Sequence, residues 1–173
     1  QPQAIDLEEV VLGAMMLERN KTEDVIQMLK PEVFYKEEHQ RIFQTVKVLH
    51  DNRKPIDILT VTEQLRKTGE LDLVGGAYYI ATLTNRIVST YNTEEHARIL
   101  LQKFVQREFI RVSSDIIHDS SEDTTDVFEL LDSNVTLVLY LCYTEAIWKS
   151  LRKGAGCATR KSFALKCRNQ VVP

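Results

Sequence analysis

Cysteine is scarce in this chain. The three residues, Cys142, Cys157 and Cys167, all fall near its C-terminal end. An odd number so placed excludes a disulfide framework as the source of stability and predicts a reducing, cytoplasmic setting. Six glycines and four prolines exclude collagen-like and low-complexity classes. Long apolar runs are missing too. The longest, Val135 to Tyr143, is far too short for a membrane-spanning helix, so no membrane partner is expected. The first twenty residues already interleave charge with apolar side chains, which excludes a cleavable signal. Metal-ligand spacing is also absent. His39, His50, His96 and His118 pair with no nearby His or Cys, and the cysteines stand too far apart for a zinc knuckle. No metal is expected.

What is present is a chain of 173 residues, 27% charged and 43% hydrophobic, long enough to bury a sizeable core. Its net charge of −3 conceals a division. Residues 1–132 carry 15 Lys+Arg against 24 Asp+Glu, a net −9, whereas residues 133–173 carry 7 Lys+Arg against Glu145 alone, a net +6. An acidic body does not suit binding to phosphate backbones, which needs clustered cations. The basic end lacks aromatics interleaved with its cations and reads as a solvated or disordered tail rather than a nucleic-acid site.

The first 132 residues carry helical periodicity throughout. Leu7, Val10, Val11, Ala14 and Leu17 form one stripe. Thr22 can cap a short helix bearing Val25, Ile26 and Leu29, and Pro31 fits the first turn of a segment ending near Tyr35. Ile42, Phe43, Val46 and Leu49 mark another helix, interrupted by 52–55. Asp57 is a candidate N-cap for a helix with Ile58, Val61 and Leu65 inward, and Thr60 with Glu63 is an alternative capping box one turn on. Gly69 suits a left-handed C-cap and Gly75-Gly76 a tight bend. Tyr79, Ile80, Leu83 and Ile87 restart the stripe. Asn92 with Glu95 then has capping spacing before a long helix of about 93–118. Its stripe is Ala97, Leu101, Phe104, Val105, Phe109, Val112 and Ile116. Phe104, Phe109 and Ile110 make it wider than one packing face needs, which predicts a partner helix from this chain or another copy. Val127, Phe128, Leu130 and Leu131 begin one more helix. The expected class is all-α: a compact bundle of short helices followed by a long helix and helical hairpin. The division expected is 1–90 for the helical head, 91–132 for the hairpin region and 133–173 for an atypical basic tail.

Catalytic chemistry is not evident. His39 reads as a satisfied packing or capping histidine. The adjacent acids Glu8-Glu9, Glu37-Glu38 and Glu94-Glu95 diverge around a helix and read as surface charges rather than acid/base pairs. In the tail, Val135 to Leu141 reads as strand or aggregation-prone segment. Gly154 to Ser162 holds a Lys-Ser pair, but Arg160 stands where a phosphate loop needs its second glycine, so a nucleotide site there is a degenerate alternative.

Certain residues in order carry a resemblance: Glu8, Val11-Leu12-Gly13 and Met16; Phe34-Tyr35, His39 and Ile42-Phe43; Pro55-Ile56-Asp57; then Leu65, Gly69, Leu71, Gly75-Gly76 and Tyr79. Over about residues 3–132 the chain resembles the N-terminal domain of the DnaB-type hexameric replicative DNA helicases of bacteria. Each motif residue has a structural reading. Gly13 permits a close helix crossing, Phe34 and Phe43 fill the core, Pro55 and Asp57 stop one helix and start another, and Gly69, Gly75 and Gly76 adopt conformations that a Cβ opposes.

The resemblance implies a non-enzymatic oligomerisation and partner-docking domain. Implied partners are other copies of the helicase, paired into dimers and a hexameric collar, together with primase and a helicase loader. Single-stranded DNA would be met only through the full hexamer, and ATP with Mg only by a motor domain beyond this segment. The candidate self-association residues are Leu101, Phe104, Phe109 and Val112. The chain departs from the family after Asp132, where a hydrophobic, then basic, then Cys-bearing stretch replaces the expected continuation of the hairpin. A shift of reading frame, an appended artificial segment and a divergent tail are the alternatives. A helical DNA-binding regulator is the competing function, and the acidic body opposes it.

Overall fold

The computed structural model of the chain describes residues 1–87 and 89–121. The expected helix around 127–131, the strand-like 135–141 stretch, the three cysteines and the 154–162 segment lie outside the described residues. The elements are α1 (Ile5–Leu17), α2 (Arg19–Met28), a 3-10 turn (Pro31–Val33), α3 (Glu37–Asp51), α4 (Ile58–Thr68), α5 (Gly76–Asn85) and α6 (Thr93–Ser120), with no strand among the described residues. This is the all-α architecture that the periodicity predicts.

Helix α1 is the axis of the head and packs against α2, α3, α5 and α6. That position explains why the simple stripe fails there. A helix surrounded by neighbours is buried nearly all round, and the buried set includes Glu8, Glu9, Val11, Leu12, Gly13, Ala14, Met15 and Met16. Leu17, expected inward, is 52% exposed at the helix end. The closest approach is at Gly13: a Cβ there would stand 2.3 Å from the Leu83 carbonyl oxygen of α5. Phe34 and Phe43 fill the space between the 3-10 turn and α3, fully buried with ring centroids 5.0 Å apart.

Local signals act where expected at several junctions. Pro31 opens the 3-10 turn. Asp57 caps α4, its carboxylate accepting from the backbone N–H groups of Leu59 and Thr60. Thr60 is its reciprocal partner, since the Asp57 N–H donates back to the Thr60 hydroxyl at 2.9 Å; the later box from Thr60 to Glu63 does not form. Gly69 (φ 74°), Gly75 (φ 94°) and Gly76 (φ 75°) adopt left-handed conformations that glycine favours. Thr22 corrects the reading. It is not a cap but lies inside α2, which starts three residues earlier, and its hydroxyl donates to the Met15 carbonyl at 2.6 Å. The buried hydroxyl thereby satisfies an orphan carbonyl at the end of α1.

Candidate assembly surface and the network behind it

Helix α6 runs 28 residues, about 42 Å at 1.5 Å per residue. Its first half belongs to the head: Ala97, Leu100 and Leu101 are buried in the core cluster, and Phe104 and Val105 pack against it. The next half presents apolar groups to solvent. Phe109 is 42%, Ile110 49% and Ile117 67% exposed. Ile110 and Ile117 lie seven residues apart, two turns along one face, with Phe109 beside them. Ion pairs of Arg111 with Glu108 (3.0 Å) and Asp115 (2.9 Å) run along the same stretch. Such exposed pairs favour the helix by only a few tenths of a kcal/mol each, so they do not account for the apolar groups beside them.

The structure divides the four candidate self-association residues. Leu101 is used by the head's own core, and Phe104 is half-covered by it. Val112 is buried outside that cluster. Phe109 is the candidate that faces solvent, and the accessible set also takes in Ile110 and Ile117. Ile117 lies off the amphipathic stripe, so periodicity alone does not single it out.

Behind this helix lies a polar network built on α1. Glu8 is 1% exposed and accepts from the Tyr35 N–H at 2.6 Å and from His39 Nδ1 at 2.6 Å. His39, fully buried, places Nε2 2.7 Å from the Tyr79 hydroxyl, with the two rings nearly parallel. That hydroxyl also reaches Glu9 at 3.3 Å, and Glu9 pairs with Arg86 at the end of α5. Burial, with the Glu9 carboxylate beside it, pushes the Tyr79 phenol up to about 12. The acid pair read as surface charge is therefore interior. One carboxylate serves α3, the other serves α5, and each buried charge has the partners that interior charges require. His39 is the satisfied packing histidine that the sequence suggests.

Carboxylate, imidazole and hydroxyl in line have the composition of a proton relay, but the Glu8 and His39 ends are sealed in the core, where a substrate could not reach them. Among the described residues no group of three or more His, Cys, Asp or Glu could hold a metal ion, and no helix is long and apolar enough to cross a membrane. Of the remaining motif residues, Gly13 sits at the crossing of α1 with α5, and Pro55 and Asp57 lead into the first turn of α4. These side chains shape the head.

Residues 1–102 match the family described as the DnaB-like helicase N terminal domain. The chain is 43% identical over 131 residues to the replicative DNA helicase DnaB of Rhodothermus marinus, covering 76% of this chain and 14% of that protein. The chain thus spans under a third of the curated relatives it matches. The crystal structure of the N-terminal domain of DnaB helicase from Mycobacterium tuberculosis superposes with a TM-score of 0.74 at 27% identity, covering 80% of this chain and 98% of that one. A structure of a DnaB-like replicative helicase, described with its interactions with primase, shares the fold at a TM-score of 0.66 and 20% identity, over 91% of this chain and 36% of that one.

Proposed function

The chain belongs to the DnaB-like helicase N-terminal domain family, and from that premise we propose that it is the oligomerisation and partner-docking part of a replicative DNA helicase acting in DNA replication. The observation that carries this is the second half of α6, where Phe109, Ile110 and Ile117 lie exposed on a helix anchored to the head by its first half. An apolar strip on a firmly held rod is suited to meeting a second rod, because little ordering cost falls on the helix when it pairs. Copies of the chain pair through this strip, and pairs assemble into the collar of a hexamer.

Primase and a helicase loader dock on that collar in the cytoplasm. The DnaB-like neighbour described with its interactions with primase supports the first of these partners. Single-stranded DNA is met through the whole hexamer, since the acidic body of this chain is a poor match for phosphate. ATP, Mg and unwinding belong to a motor domain of the full protein, and the segment itself is not an enzyme in this reading.

A photo-crosslinking amino acid placed at Ile110 tests the surface. Illumination of the purified chain is expected to yield a covalent band at twice the 19.9 kDa chain mass. The same probe at Gln44, exposed on α3, is expected to yield little. Equal labelling from both positions, or none from Ile110, would remove the α6 strip as the contact.

A further inference from the structure

Arg107 follows the last α6 residues that belong to the core cluster. It is half-buried, and its guanidinium is gripped by three separate pieces of the chain. Nη1 donates to the Pro2 carbonyl at 3.0 Å and Nη2 to the Val33 carbonyl at 2.7 Å. The charge also lies 5.5 Å from the centroid of the Tyr35 ring and 5.8 Å from that of Phe104. Tyr35 is itself fixed, because Glu8 accepts its backbone N–H. The N-terminal stretch of chain, the 3-10 turn and the buried Glu8 network thus converge on one side chain of α6.

The grip differs from a salt bridge. Both hydrogen bonds go to neutral carbonyl dipoles, and both ring contacts are faces that a planar cation matches. Burial lowers the guanidinium pKa from its ordinary value, a cost that Glu8 and Glu108 nearby oppose. Two carbonyl acceptors and two ring faces together set the place of this cation. Lysine has the charge but neither the fork nor the plane.

Position along α6 sets the consequence. The core cluster takes in α6 residues 97–105, about 12 Å of helix, and the helix runs about 20 Å further from Arg107 to its end, with Val112 buried along the way. A restraint at the exit of a short grip governs the tilt of a longer arm more than one deep inside it, because any slack there is magnified toward the tip. We propose that Arg107 is a positioning residue that fixes the direction in which α6 leaves the head and so presents the Phe109, Ile110 and Ile117 face at a set angle. The consequence for pairing rests on the assembly reading above, whereas the geometry does not.

The test uses the full 173-residue chain with Cys142, Cys157 and Cys167 replaced by serine. Spin labels at Gln44→Cys on α3 and Ser113→Cys on α6 report head-to-arm distance by double electron–electron resonance, with excess unlabelled chain so that only pairs within one molecule are read. Arg107→Lys and Arg107→Gln are each expected to broaden the distance distribution about twofold as the arm samples more tilt. Tyr35→Leu, which removes one ring face, broadens it less, and Arg111→Lys, on the exposed side, leaves it narrow. An unchanged distribution in both Arg107 variants overturns the proposal, and so does loss of helical circular dichroism in both, which would make Arg107 a folding residue instead. Sedimentation of the same samples separates the two ideas. A wild-type chain that never pairs defeats the assembly reading, while the distances still decide the pin.

Discussion

A methyl group at position 13 would stand 2.3 Å from the Leu83 carbonyl oxygen and 2.6 Å from the Ile87 side chain. The nearest atom is backbone, so relief requires α1 and α5 to separate. Gly13→Ala is therefore expected to destabilise by about 3 kcal/mol or more, at the upper end of overpacking effects and against the usual gain from placing Ala in a helix. Urea unfolding reads this directly, and a neutral or stabilising substitution would show that the crossing is looser than these distances. Tyr79 gives a second residue-level expectation. Its phenol sits at about 12, above the ordinary 10.0, chiefly through burial and then through Glu9. The folded state therefore retains a proton that the unfolded chain releases between those values. The associated stability is fully present below about pH 10 and is lost as pH rises toward 12. The stability gap between wild type and Tyr79→Phe is expected to shrink across that window in thermal melts. A gap independent of pH there would mean that the hydroxyl is not in the Glu9 environment.

Elements differ in how openly their sequences announce them. Helix α4 is plain because its signals are local. Asp57 bonds the N–H groups of Leu59 and Thr60 within one turn, and Gly69 ends the helix at φ 74°. Asp57→Ala is expected to cost about 1 kcal/mol, seen as a lower denaturation midpoint at unchanged slope; no loss would mean that packing alone sets the start of α4. Helix α1 is opaque for the opposite reason. Glu8 and Glu9 look like solvated charges beside each other, and nothing within a turn contradicts that. Their partners His39 and Arg86 lie 31 and 77 residues away. Thr22 resembles a cap in sequence because its true acceptor, the Met15 carbonyl, belongs to the preceding helix. Helix α6 is half legible. Its length and inner stripe follow from periodicity, but whether Leu101 faces the head or a partner is decided by where α1 and α2 lie.

For the whole molecule, two terms act on self-association. The whole chain carries a net charge of −3, divided into −9 on residues 1–132 and +6 on residues 133–173, so the acidic bodies of paired copies repel while body and basic end attract. The exposed strip of α6 favours pairing through burial of apolar area, which salt does not weaken. Pairing through the strip is therefore expected to persist as salt screens both charge terms, the reverse of what an ionic interface or a phosphate-binding surface would do. The most direct measurement is sedimentation equilibrium of the 19.9 kDa chain over a range of concentrations, beside Phe109→Glu and Ile110→Glu. A wild-type species of at least twice the chain mass is expected and, in each variant, dissociation at least about tenfold greater, or roughly 1.4 kcal/mol, with helical content unchanged. A wild-type chain that stays monomeric at every concentration, or variants that pair as tightly as it does, would contradict pairing through the strip.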